Sequence, residues 1–412
     1  MAIADVKEYT HLTEEEVEQL GRELDAIRQE IEESRNSDDA AYINRMIKVQ
    51  RGLAAAGRVS MLAGTWGRRV APRAEKPAIA FGAVCLGVAK ILENMEIGHN
   101  VMHGQWDWMN DPEIHSSNWE WDTAQPAEQW KHSHNYIHHQ FTNVLGHDND
   151  IGYGILRMAR EQRWHPYYLG QPVYNAMLAS LFQWGVALHD LDLERIRKGE
   201  KDPVVMKRQL GQILRKGRDQ VLKDYVVYPA LSGPRWREVM IANASANFAR
   251  NLWSYVIIFC GHFPDGALHF TEEELEDETR AEWYLRQMLG SANFDGGRLL
   301  HILSGSLGFQ IEHHLFPDLP SNRYPEIAVK VRALCEKYDI PYTTGPLHRQ
   351  YGQALRTIMK LSLPNSWTES DQHDPPTPSR DRKRRSDDER PSRMRELGAY
   401  ARSSSERRHR DD

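Results

Sequence analysis

The chain has 412 residues, with 27% charged, 40% in the hydrophobic set and a net charge of −6. That length exceeds the need of one simple core, and the modest negative charge selects no nucleic-acid or other charged partner. Three cysteines, Cys85, Cys260 and Cys335, stand far apart with no C-x-x-C, which excludes a zinc ribbon and a cysteine-bound iron–sulfur cluster and argues against a disulfide framework.

Met1 to Leu12 lacks the long apolar core of a signal peptide. Thr13 to Ser34 is predicted as a helix. Thr13 and Glu16 fit a capping box, and Val17, Leu20, Leu24, Ile27 and Ile31 form a narrow apolar stripe. The stripe packs on its own protein in the simpler reading and on a partner helix in the other. Residues 1–48 are thus an acidic N-terminal helix and linker, 49–350 the main domain, and 351–412 a C-terminal extension. From Glu369 the chain is rich in Arg, Asp, Ser and Pro and is expected to be disordered.

Apolar runs punctuate the main domain. Leu53–Trp66 and Ala78–Ile97 come first, interrupted by Arg58 and Lys90. The apolar part of the second ends near Leu92, short of the roughly 20 residues a spanning helix wants, and both could be buried core helices on length alone. Arg68, Arg69, Arg73 and Lys76 fill the turn between them. A full hairpin with that turn outside the cell would break the positive-inside tendency, so shallow insertion stays open. Pro166–Leu188 is the strongest spanning candidate, with a kink expected at Pro172. Arg195–Lys223 holds ten Lys/Arg and is expected to be a solvated basic helix or to lie against anionic headgroups on the cytoplasmic side. Tyr225–Cys260 is a second broken apolar region, read as a hairpin or one irregular span. Thr271–Glu282 is an acidic helix start, and Arg323–Tyr338 an amphipathic helix.

Histidines gather at the ends of these runs. His99 and His103 follow the first pair; His134, His138 and His139 form the densest group; His313 and His314 close the series, and His262 ends the second broken region. Residues four apart share a helix face. Imidazoles repel one another when protonated and fill cores poorly, so clusters of them point to metal. Imidazole suits Zn, Cu, Fe and Ni, and seven or eight ligands exceed one four-coordinate site, which makes two metals the simpler reading. Glu96-Ile-Gly-His99 is a Glu-x-x-His without an obvious second copy, unlike the soluble di-iron bundles. HExxH, G-x-S-x-G, P-loop and G-x-G-x-x-G motifs are absent, so the chain is not expected to bind its own nucleotide reductant.

The segments H99NVMH103, H134NYIHH139 and Q310IEHH314 resemble the three histidine boxes of the membrane fatty acid desaturases. The surrounding text, ENMEIGHNVMHGQWDWMNDP, WKHSHNYIHHQFTN and CGHFPDG, is similar to actinobacterial acyl-CoA desaturases of the stearoyl-CoA Δ9 type, and the likeness covers roughly residues 50–350. The resemblance implies an all-α protein of membrane-embedded helical hairpins with a cytosolic helical cap and a non-haem di-iron centre. It implies that His99, His103, His134, His138, His139, His313 and His314 are ligands and catalytic, with His262 as an extra ligand and Gln310 standing where some relatives have histidine. Asp107, Asp148, Asp150 and Glu312 are the candidates for orienting the imidazoles; each is equally explained as a surface or capping residue. His132 and His147 flank a box and are read as hydrogen-bonding or structural.

The implied reaction is O2-dependent formation of a cis double bond in a fatty acyl chain, on CoA or in a lipid, at the cytoplasmic face of a bacterial membrane. Electrons must come from a separate reductase or iron–sulfur donor, because the chain has no cysteine cluster and no HPGG haem-binding segment. A membrane di-iron hydroxylase is the nearest alternative. A non-enzymatic membrane metal-binding or transport protein is the alternative of another class; transport predicts ionisable residues inside the apolar runs.

Overall fold

A computed structural model describes residues 6–191 and 201–368, with Ile196 and Gly199. The extension from residue 369 and the start of the basic segment at Arg195 lie outside the described residues.

Helix α1 (Glu14–Ser34) begins at the expected capping box: Thr13 accepts from the Glu16 amide, and Glu16 accepts from the Thr13 amide at 2.8 Å. Val17, Leu20, Leu24, Ile27 and Ile31 are buried against Tyr284, Leu285, Ile327 and Val331. The stripe therefore packs on its own chain. Charged residues on either side clamp it, with Arg28 bidentate on Asp318 at 2.8 and 2.6 Å and Lys337 on Glu23 at 2.6 Å.

Helix α2 (Ser37–Gly67) and α3 (Glu75–Leu92) form an antiparallel hairpin. Gly57 and Gly82 let the two backbones meet: a Cβ on Gly82 would lie 2.7 Å from the Gly57 carbonyl. Beyond α3 the chain stays helical through a wide turn, Glu93–His99, with i→i+5 hydrogen bonds, then Asn100–Met102. Helix α4 (Ala127–Trp130) passes into a second such turn, Lys131–His138.

The expected spanning segment Pro166–Leu188 is broken. Pro172 sits in the first turn of α5 (Gln171–Ser180), where its missing N–H costs nothing. The break falls instead at Leu181, outside helical geometry, and α6 (Phe182–His189) follows. Ten residues of α5 reach only about 15 Å. Among the described residues one helical stretch, Pro72–Met102, is long and apolar enough to cross a membrane.

Helix α7 (Pro203–Val221) runs on through Leu222–Val227 and Tyr228–Leu231 to a turn at Gly233–Arg235, and α8 (Trp236–His262) returns. The second broken region is thus a helical hairpin, and α8 packs on α3. Phe81, Val84, Val59, Trp66, Ile241 and Phe248 are exposed on α2, α3 and α8.

The acidic stretch opens twice, with one capping box at Thr271 and a second at Thr279 that starts α9 (Arg280–Leu289). Then come α10 (Gln310–Leu315), α11 (Tyr324–Lys337) and α12 (Leu347–Leu361). The architecture is helical as expected. The small departure is a parallel pair of three-residue strands, β1 (Asn293–Asp295) and β2 (Thr344–Pro346). The expected boundaries at 48/49 and 350/351 fall inside α2 and α12.

Candidate metal centre and acyl pocket

Four elements deliver the imidazoles: the wide turn after α3, the wide turn after α4, the end of α8, and α10. The i→i+5 turns change the phase of a helix locally. In the second, the His139 amide donates to the His134 carbonyl at 3.0 Å. His134 and His138 stack, with ring centroids 4.9 Å apart, while His139 turns edge-on to both.

Two groups result. In the first, His99, His103, His134 and His313 each offer a ring nitrogen within 4.8 Å of the others; in the second, His138, His262 and His314 do the same. His139 lies between them, 4.8 Å from the His313 ring and 4.4 Å from the His314 ring. A smaller set joins His134 and His138 to Asp150.

Neighbouring oxygens pin the outward nitrogens. His99 Nδ1 meets Asn100 Oδ1 at 2.9 Å and His138 Nδ1 meets Asp148 at 3.0 Å. His313 Nδ1 meets the Tyr324 hydroxyl at 3.2 Å, and His314 Nδ1 meets Gln287 Oε1 at 3.1 Å. Tyr324 donates its own proton to the Phe316 carbonyl, so it is free to accept. An Nδ1–H so held leaves the Nε2 lone pair facing inward.

Those inward nitrogens test the fit of a metal. Nε2 of His103, His134, His138, His139 and His313 is buried without a hydrogen-bond partner, as are Nδ1 of His139 and His262. Burying so many unpaired polar atoms is costly, and metal coordination is what their grouping accommodates. Burial first, then neighbouring imidazoles, holds His103, His134, His139, His313 and His314 well below the usual histidine range. Neutral imidazole is the ligating form. His138 is the exception: burial pulls it down, but Asp148 and Asp150 carry it above its usual value. Burial pushes Asp150 up to about 6, while His138 overcomes burial to hold Asp148 low.

Of the four candidate orienting acids, two face the histidines. Asp148 holds His138, and Asp150 lies 3.5 Å from His134 Nδ1. Asp107 instead accepts from the Ser116 amide and hydroxyl at 2.7 and 2.6 Å, and Glu312 accepts from Asn293 and Tyr342 at 2.8 Å each. Gln310 Nε2 lies 3.0 Å from His262 Nε2, packed where a Cβ on Gly261 would strike it. His132 stacks on Tyr136 and His147 on Phe141, apart from both groups. Asn100, Gln287, Tyr324 and also Thr142, whose hydroxyl lies 3.1 Å from His314 Nδ1, contact the ring nitrogens and were missed by sequence reasoning. Asn100 adjoins a box histidine; the others carry no local signal.

Beside the imidazoles runs a pocket lined by His99, His134, His138 and His262, and further along by apolar side chains such as Tyr153, Phe182, Val186 and Ile258. Helices that converge buried imidazoles on such a pocket define a class: a helical protein with a histidine-built site suited to metal and an apolar substrate. A fatty acid desaturase family model matches residues 76–346. The chain is 52% identical over 380 residues to the NADPH-dependent stearoyl-CoA 9-desaturase of Mycobacterium tuberculosis (strain ATCC 25618 / H37Rv), covering 91% of this chain and 87% of that one. It is 26% identical over 281 residues to the sn-1 linoleoyl-lipid 6-desaturase of a Synechocystis strain, covering 66% and 76%. The chain belongs to the fatty acid desaturase family. It is an oxidoreductase that introduces a double bond into a fatty acyl chain.

Proposed function

We propose that the chain is an acyl-CoA 9-desaturase, acting on a long saturated acyl-CoA with O2 and two iron ions. The carrying observation is the two groups of converging buried imidazoles beside the pocket, five of whose seven members keep a ring nitrogen without a hydrogen-bond partner. His99, His103, His134 and His313 would hold one iron, and His138, His262 and His314 the other, with His139 between. Bound iron with O2 supplies the oxidant that removal of two hydrogens from an unactivated chain demands. The protein's own task is position and exclusion. Asn100, Asp148, Tyr324 and Gln287 fix the ring tautomers and keep each lone pair aimed. The apolar wall confines the acyl chain beside the imidazoles and keeps water away.

The carrier and bond position follow the 52% identical relative, which its name describes as a stearoyl-CoA 9-desaturase that is NADPH-dependent. Electrons then arrive from a separate NADPH-driven reductase or iron–sulfur carrier. The exposed Lys207, Arg208, Arg215 and Arg218 of α7 suit docking of an acidic donor. Neutralising several of them slows donor-driven turnover and flattens its salt dependence; no change in either discards the docking surface. The exposed apolar faces of α2, α3 and α8 suit embedding in a bilayer, with the histidines on the cytoplasmic side. Mass spectrometry of lipids from cells expressing the chain tests the function: a cis double bond between carbons 9 and 10 is expected, and a hydroxylated product refutes desaturation.

A further inference from the structure

One stripe of α8 lines the pocket from end to end: His262, Ile258, Ser254, then Asn251 and Arg250. His262 and Arg250 are twelve residues apart, about 18 Å along the helix axis. At the Arg250 end the stripe is polar and charged. Arg250 is 1% exposed in the middle of α8, donating to the Asp122 carbonyl at 3.1 Å and to Asn251 Oδ1 at 3.2 Å.

Behind it the interior is closed by charge. Lys90 Nζ lies 2.9 Å from Asp224 and 3.3 Å from Asp122, Arg58 lies 2.5 Å from Asp224, and Asn247 donates to Asp224 at 3.0 Å. Lys90 is 4% and Asp224 0% exposed, and Asp122, part-exposed, forms the outer edge of the cluster. Of this cluster only Arg250 lines the pocket. A bulky carrier needs an opening to solvent, and this end offers packed ion pairs. The closed end therefore receives the methyl terminus.

We propose that Arg250, backed by the Lys90–Asp224–Asp122 cluster, is the floor of the acyl pocket and sets the longest chain the enzyme accepts. The inference rests on the acyl-CoA desaturase reading. Its aliphatic stem can face the acyl chain while its head stays hydrogen-bonded. A longer chain has to push the guanidinium off its partners and leave buried donors unpaired, which makes the cutoff sharp. Between the side chains at the two ends there is room for on the order of ten extended carbons, the portion of a stearoyl chain beyond a bond at position 9.

The competing assignment is an anchor for the acyl carbonyl, since Arg250 Nε has no partner. The two differ in what a substitution moves. Arg250 has no carboxylate at ion-pair distance among the described residues, and Asp224 keeps Lys90 and Arg58 without it, so Arg250→Leu leaves the network paired. Initial rates and double-bond positions are measured for the iron-loaded enzyme with its donor system on myristoyl-, palmitoyl-, stearoyl-, arachidoyl- and behenoyl-CoA. Arg250→Leu is expected to raise kcat/KM for arachidoyl- relative to stearoyl-CoA roughly tenfold, with the bond position unchanged. Ser254→Phe, one turn nearer His262, is expected to shift preference toward myristoyl- and palmitoyl-CoA.

A chain-length profile parallel to the natural one in both variants overturns the proposal. So does an equal loss for every acyl-CoA with a displaced double bond, which assigns Arg250 to the carbonyl. If Arg250→Leu does not accumulate, an unchanged preference in Ser254→Phe alone overturns it. No product from any acyl-CoA with the natural enzyme removes the acyl-CoA reading and this inference with it; product from stearoyl-CoA keeps the two failures separate.

Discussion

Two polar clusters lie within a few turns of each other at the C-terminal end of α3, one at Lys90 in its last turn and one at His99 in the wide turn beyond, and they are built on opposite principles. Around Lys90 each carboxylate meets two cations: Asp224 serves Lys90 and Arg58, and Asp122 serves Lys90 and Lys223, while Arg250 beside them is held by a carbonyl and an amide oxygen. Around His99 like meets like, and the inward nitrogens of His103, His134, His138, His139 and His313 have no hydrogen-bond partner. In the first cluster both carboxylates are paired as folded. The second is satisfied only outward, by Asn100, Asp148, Tyr324 and Gln287. A polar cluster that closes on itself is structural, whereas one that closes on everything except its own centre is built for something else to enter. Lys90 and Arg58 within the apolar helices thus do not favour a transport path, because both are paired with Asp224.

Substitutions can break this contrast in order of size. His138→Ala is expected to abolish desaturation and lower bound iron, checked by product analysis and metal content; full activity removes His138 from the ligand set. Asp224→Asn strips both Lys90 and Arg58 of their shared carboxylate and is expected to cost about 3–5 kcal/mol of stability, measured by denaturant or thermal unfolding. The folded fraction should keep its iron, and iron loss without destabilisation would reverse the roles given to the two clusters. Asp148→Asn keeps the shape but weakens the hold on His138; a drop of about 10–100-fold in iron affinity or activity is expected, with little effect on unfolding. Arg28→Ala removes a bidentate but part-exposed pair with Asp318, worth about 0–1 kcal/mol. A larger loss, or any loss of iron, would mean that α1 helps to hold α10 in place.

Local signals in the sequence were reliable where a few adjacent residues decide the outcome. The Thr13–Glu16 box and its apolar stripe specify α1 because both cap and face are written within it. The histidine boxes were legible because each sits within six residues. What escaped was set by distant packing. The i→i+5 turns that re-aim His99 and His134 have no spacing signal, and an HxxxH reads the same on either kind of helix. Gln287 and Tyr324 reach the imidazoles from α9 and α11, separate helices 27 and 11 residues from the histidines they meet. Asp107 and Glu312 looked suitable by proximity, yet turns and a hydrogen-bonded strand draw them to Ser116, Asn293 and Tyr342. Pro172 suggested a kink by residue type alone, but proline at a helix start breaks nothing.

The most direct test of the account is the metal content of purified protein that actively desaturates an acyl-CoA. Two irons per chain are predicted, lost together with activity when His99 or His314 is replaced. Active protein that carries zinc alone, or no metal, would contradict the reading of the histidine cluster.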